Sequence, residues 1–273
     1  MTAAPPRLLP SMRTVLASSG IALPALAALV IGPVPFAVAL TLIAVLALVD
    51  LSGVLTRAAA RPVLPAALIP AVGLPVAVAF QPDLDWDLVP PFVAAGFLVA
   101  FLFALMFGRR RGIVEGAGTT MLAGLVVGLG AASLVLLRNL PHGFRWVLAL
   151  LVVVTASDVA GPLWERFGPS RREDGGDHSV LASVLLVALA TAALLLFLRP
   201  PLQLAVALLL ALAGLTATLG GEDLRRALMA EADDSALTPP ESGRLGSGML
   251  LGLVDGLLLG APVVYVLARS AAL

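Results

Sequence analysis

Three aspartates lie within or directly beside long apolar stretches of the chain. Asp158 follows the apolar run 150–155, Asp255 lies inside the segment 252–257, and Asp223 comes just after the run 201–219. An ionisable side chain inside a membrane span costs about 2.5–3.5 kcal/mol on insertion scales, so such side chains usually serve a function. Carboxylate oxygens bind hard divalent cations, and Mg²⁺ typically combines carboxylates with substrate phosphates. The three aspartates are therefore candidate ligands of a magnesium ion.

Simpler roles stay open for these side chains. Asp158 and Asp223 could end helices close to water, and Asp255 could pair with an arginine. A fourth aspartate, Asp50, ends an apolar run, and we expect it at the membrane interface rather than in a site.

The composition indicates which elements must position these residues. Of the 273 residues, 60% are hydrophobic and 12% are charged, and the mean hydropathy is +1.04. Soluble domains carry about 25% charged residues, so an ordinary soluble enzyme, a disordered chain and a nucleic-acid-binding protein are excluded. The absence of cysteine excludes a disulfide framework and a thiol nucleophile. We expect an all-α, polytopic integral membrane protein.

Nine apolar runs are long enough to cross a bilayer, which takes roughly 20 residues each. With the N-terminus inside the cell, thirteen of the 17 basic residues fall in inner segments, and all 17 are arginines. This asymmetry is the one that the positive-inside rule predicts, so we expect an inner N-terminus and an outer C-terminus. The runs lie at about 14–31, 34–51, 63–80, 88–107, 114–137, 144–160, 179–198, 201–219 and 247–268.

This topology brings the acidic residues to one side of the membrane. Asp158 and Asp223 lie at the cytoplasmic ends of the sixth and eighth spans, and Asp255 lies roughly 14 Å deep in the ninth, at 1.5 Å per residue. We expect the three carboxylates to face one cavity that opens to the cytoplasm. Residues 1–110 are expected to form a scaffold of helices that could mediate oligomerisation. Residues 111–273 are expected to carry the site, with the cytoplasmic loops 165–178 and 220–247.

Several motifs in the C-terminal half are similar to those of one enzyme family. Residues 138–143 precede a span that ends in Ala156-Ser157-Asp158, residues 220–224 include a degenerate Gly-Asp-Leu motif, and residues 246–255 follow the spacing Gly-His-Gly-Gly-x-x-Asp-Arg-x-Asp. The chain resembles the CDP-diacylglycerol synthases, also called phosphatidate cytidylyltransferases, over about residues 110–268. The last signature is matched at Gly246, Gly248 and Asp255. Four other positions depart from it: the family's histidine, glycine, aspartate and arginine are replaced by Ser247, Met249, Gly252 and Leu253. A basic pair of the family is replaced by Ala230 and Glu231.

The resemblance implies that CTP and phosphatidate react to give CDP-diacylglycerol and pyrophosphate at the cytoplasmic face of the cell (inner) membrane. It also implies that Mg²⁺ is the cofactor and that membrane lipids are partners. It implies no nucleic-acid partner. Asp158, Asp223 and Asp255 would then be catalytic metal ligands. The substrate-binding residues would be Arg171, Arg172, Arg225, Arg226, Gly246, Ser247 and Gly248.

Two alternatives stay open. One is a catalytically silent relative that acts as a membrane subunit or lipid-binding regulator, as a homodimer or with another membrane protein. The other is a transporter that uses a buried carboxylate for proton coupling.

Overall fold

The structure is a computed structural model that describes residues 27–57, 62–106, 113–167, 177–197, 207–217, 220 and 251–272. Every regular element in these ranges is helical, which confirms the all-α prediction. In chain order the elements are α1 (residues 27–31), α2 (Pro33–Arg57), α3 (Leu64–Phe80), a 3₁₀ helix (Pro82–Leu88), α4 (Val89–Met106), α5 (Ile113–Asn139), α6 (Gly143–Phe167), α7 (Asp177–Phe197), α8 (Ala207–Ala217) and α9 (Leu251–Ala272).

Three helical segments are long and apolar enough to cross a membrane: Pro33–Thr56, Trp86–Phe103 and Gly116–Asn139. The other described helices contain shorter apolar stretches. Helices suit this composition because each backbone N–H and C=O group finds its partner within the segment, where lipid offers none. The second to ninth predicted spans all contain a described helix. The total of nine spans and their orientation stay predictions, since most of the first span and several loops lie outside the described residues.

Helix α5 is the centre of the bundle. It packs against α2, α3, α4, α6 and α9, and 78% of its segment Gly116–Asn139 is buried. Its Ala123 and Val127 share a buried cluster with Ala67 and Ala71 of α3. Small side chains such as alanine let helix backbones approach closely, and this close packing drives helix association in lipid.

A short turn connects α5 to α6, and an arginine in the last turn of α5 binds the backbone of α1. Arg138 donates hydrogen bonds from Nε and Nη2 to the Leu29 carbonyl oxygen, at 3.3 and 3.2 Å. Its guanidinium carbon lies 5.9 Å from the ring centroid of Phe144, within the range of a cation–π contact. His142 occupies the turn with φ of 60°, in the left-handed region. The residues that precede the sixth span therefore have a structural role in this turn.

Asp50 lies within helix α2 and not at its end, and its place at the membrane interface stays a prediction. The helix continues to Arg57, and Asp50 is only 1% exposed. The apolar run in the sequence weakens after residue 51, yet Val54 and Leu55 still pack inward, so the buried face of the helix extends past the aspartate. Asp50 is a buried polar residue within the helix bundle.

Candidate functional site

Helices α6, α8 and α9 meet at a junction built from small residues. Gly214 of α8 lies so close to Val153 of α6 that an added Cβ would overlap the valine Cγ1 atom. A Cβ on Gly260 of α9 would lie 3.4 Å from both Ala217 of α8 and Leu150 of α6. These are the three helices that the sequence assigns to the site, and their described parts contact one another.

Helix α9 is also seated directly on α5. At Gly130 an added Cβ would lie 2.6 Å from the carbonyl oxygen of Leu258 and 2.8 Å from its Cα. Only glycine allows two helix backbones to come this close. Because Leu258 is one turn from Asp255 on the same helix, this contact fixes the position of the segment that carries the aspartate.

The described residues include the backbone of two of the three candidate aspartates. Asp158 belongs to α6 and Asp255 to α9, two helices that pack against each other. Asp255 is five residues before Gly260 in sequence, and Asp158 is five residues after Val153. The side chains of both lie outside the described residues, and so do Asp223, Arg171, Arg172, Arg225, Arg226, Gly246, Ser247 and Gly248. Their meeting in one cavity stays a prediction.

Among the side chains that the structure does describe, no three His, Asp or Glu residues come together as a metal site would require. The predicted magnesium ligands are not among those side chains. The role of Asp158, Asp223 and Asp255 as magnesium ligands stays a prediction.

Two polar residues near these helices were not expected from the sequence. The Ser157 hydroxyl, next to Asp158 in the chain, is buried and has no hydrogen-bond partner within the described part of the chain. Asp50 is buried on α2, which contacts both α5 and α9. A serine within an apolar helix gives no signal in hydropathy, and Asp50 could have been suspected only from the inward pattern that continues to Leu55.

Three large aromatic residues, Trp86, Trp146 and Tyr265, pack within the helix bundle. Trp86 and Tyr265 meet edge to face with their ring centroids 6.0 Å apart. Trp146 is 2% exposed and belongs to the main buried cluster. The Trp146 ring therefore fills part of the core of the helix bundle.

The family of the chain follows from a match to the model of the cytidylyltransferase family over residues 11–169, which is more than half of the 273 residues. The chain belongs to this family, the CDP-diacylglycerol synthases. No curated protein matches the chain significantly.

The family match and the motif resemblance cover different parts of this synthase-family chain. The match spans residues 11–169 and includes Asp158, whereas the motifs lie within residues 110–268. The two overlap over residues 110–169. Membership in the synthase family therefore does not depend on the degenerate signature at 246–255, which lies beyond the match together with Asp223.

Proposed function

We propose that this synthase-family protein is a phosphatidate cytidylyltransferase. A phosphate oxygen of phosphatidate attacks the α-phosphorus of CTP, a new P–O bond forms, and the bond to the β-phosphate breaks to release pyrophosphate. The observation that carries the proposal is the junction of α6, α8 and α9, because it joins the helices that carry or lead to Asp158, Asp223 and Asp255. Family membership supplies the reaction class.

The three carboxylates are suited to hold Mg²⁺ because this ion takes oxygen ligands and often combines carboxylates with substrate phosphates. When bound, the ion would neutralise charge on the α-phosphate and on the departing pyrophosphate. Arg171, Arg172, Arg225 and Arg226 would add positive charge to bind the phosphates. Gly246, Ser247 and Gly248 would line the approach of the substrate.

The substrates would come from two directions. CTP is soluble and would reach the site from the cytoplasm, at the loops 165–178 and 220–247. Phosphatidate would enter sideways from the inner leaflet between helices, with its headgroup at the same depth as the carboxylates. The proposed location is therefore the cytoplasmic side of the cell membrane.

A second candidate is a silent relative that binds lipid without catalysis. Four signature positions favour it, since a histidine, a glycine, an aspartate and an arginine of the family are replaced by Ser247, Met249, Gly252 and Leu253. One preorganised electrostatic contact contributes about 2.7–4 kcal/mol to catalysis, so several losses could abolish the reaction.

Pyrophosphate release by the purified protein in lipid, with phosphatidate, CTP and Mg²⁺, distinguishes the two candidates. We expect release from the wild type, and a loss of about 10²–10³-fold in Asp255→Asn, the size of one lost electrostatic contact. Asp83→Asn is the matched control, because this exposed aspartate lies in the 3₁₀ helix and should leave the rate unchanged. No release beside a working synthase would favour the silent relative, and equal rates in Asp255→Asn and wild type would remove Asp255 from the site.

A further inference from the structure

The Ser157 hydroxyl is a buried polar group without a hydrogen bond. Ser157 is 5% exposed, and its Oγ atom has no hydrogen-bond partner among the residues that the structure describes. A buried donor that is left unpaired loses the bonds it made to water and gains none in return. Such groups are rare in folded proteins, and each one calls for an explanation, such as a functional role or a bound water or ion.

Other hydroxyls in the described helices behave differently. They donate to the carbonyl oxygen three or four residues earlier, the usual bond of a serine or threonine inside a helix. Thr155, two residues before Ser157, donates to the Leu151 oxygen at 2.7 Å. The same kind of bond is made by Thr41, Ser52, Thr56, Thr120, Ser133, Thr191, Thr216 and Ser270. Ser157 does not make it, so its hydroxyl is available to another group.

The position of Ser157 links it to the proposed site. Leu150, Val153 and Ser157 are spaced three and four residues apart and therefore lie along one stripe of α6. The first two contact α9 and α8 at Gly260 and Gly214. Ser157 is the next position along this stripe, and Asp158 follows it in the chain.

We propose that the Ser157 hydroxyl binds a substrate phosphate by donating a hydrogen bond to one of its oxygens. This inference rests on the proposed function. A neutral donor beside a predicted metal ligand suits an anionic group, because hydrogen bonds to ionised acceptors are about twice as strong as neutral ones. The phosphate could belong to phosphatidate or to CTP, which share this chemistry.

Binding measurements on the purified protein in lipid nanodiscs separate the two sources. The ligands are Mg²⁺–CTP and phosphatidate, with cytidine and diacylglycerol as matched probes that lack phosphate. We expect Ser157→Ala to weaken one of the two phosphate ligands about tenfold, the size of one charge-assisted hydrogen bond, and to leave the other ligand unchanged. The ligand that weakens identifies the phosphate that Ser157 holds.

Ser133→Ala is the control variant, since this hydroxyl is also buried but already donates to the Leu129 oxygen at 2.6 Å. It should lower the Tm without changing either affinity, whereas Ser157→Ala should not lower the Tm. Ser157→Cys keeps the shape with a weaker donor and should give a smaller loss of affinity in the same direction.

The outcomes that overturn the inference differ from those that overturn the proposed function. Unchanged affinities in Ser157→Ala, with a wild type that binds both ligands, would refute the role of Ser157 alone. A Tm that falls in Ser157→Ala as far as in Ser133→Ala would show that the hydroxyl already has a partner. A wild type that binds neither ligand would refute both the proposed function and this inference.

Discussion

The contact between Gly130 and Leu258 makes a sharp prediction about the site. A Cβ at position 130 would lie 2.6 Å from the Leu258 carbonyl oxygen, and an ordinary contact begins near 3.4 Å. In Gly130→Ala, α9 must therefore move away from α5 by about 0.8 Å, because the carbonyl oxygen and the Cα of Leu258 are backbone atoms that cannot turn aside. Asp255 is one turn from Leu258, so the movement reaches the segment that carries the candidate ligand.

The expected size of the effect differs between stability and activity. Overpacking of a close contact costs about 1–3 kcal/mol, and the better helix propensity of alanine offsets up to about 1 kcal/mol of it. A misplacement of about 1 Å in a catalytic group can lower a rate about 10²-fold. We therefore expect Gly130→Ala to lose modest stability and to release pyrophosphate roughly 10²-fold more slowly.

Gly118→Ala is the matched control on the same helix. A Cβ at Gly118 meets nothing within 4 Å, so the substitution should leave both the rate and the unfolding temperature near those of the wild type or slightly higher. The two variants are compared by thermal unfolding in detergent and by pyrophosphate release in lipid. If Gly130→Ala behaved like Gly118→Ala, the close packing of α5 on α9 would be refuted.

Two further predictions concern the scaffold that holds these helices. Thr120→Val should lower the free energy of unfolding by about 1–3 kcal/mol, because it leaves the Val63 backbone N–H, which donates to Thr120 Oγ1 at 2.8 Å, without its partner. Thermal unfolding should show no comparable loss in Thr56→Val, an exposed control, and an equal loss in both would contradict the importance of the Val63 bond. Arg138→Gln should cost about 1.5–3 kcal/mol through the lost charged hydrogen bonds to Leu29, and Arg138→Lys should rescue little because lysine lacks the planar fork. Full stability of Arg138→Gln by the same measurement would show that this contact does not hold α1.

The helical architecture was predictable from the sequence because hydropathy alone forces helices in lipid. The burial of Asp50 could not be predicted from the sequence, because the apolar run ends near this aspartate while the buried face of α2 continues to Leu55. Close helix contacts also escape a single sequence. Apolar helices contain Gly118, Gly130 and Gly214, and the sequence does not distinguish them. Gly130 and Gly214 lie against another helix whereas Gly118 does not, because such contacts depend on packing between residues far apart in the sequence.

The candidate site was predictable only as a set of residue types. Three aspartates near apolar runs indicate a site because burying a charge is costly. The topology of the spans predicts which helices carry or lead to these aspartates, and the described parts of α6, α8 and α9 do contact one another. Ser157 was missed because an unpaired hydroxyl can be recognised only when its surroundings are known.

The distance between residues 158 and 255 tests the central claim most directly. The chain has no cysteine, so Asp158→Cys and Asp255→Cys together provide two unique positions for spin labels in the protein embedded in lipid. A shared site predicts a separation within about 15 Å, the reach of a metal pair with its ligands. A clearly longer separation would place the two aspartates in different parts of the bundle and would contradict a common magnesium site.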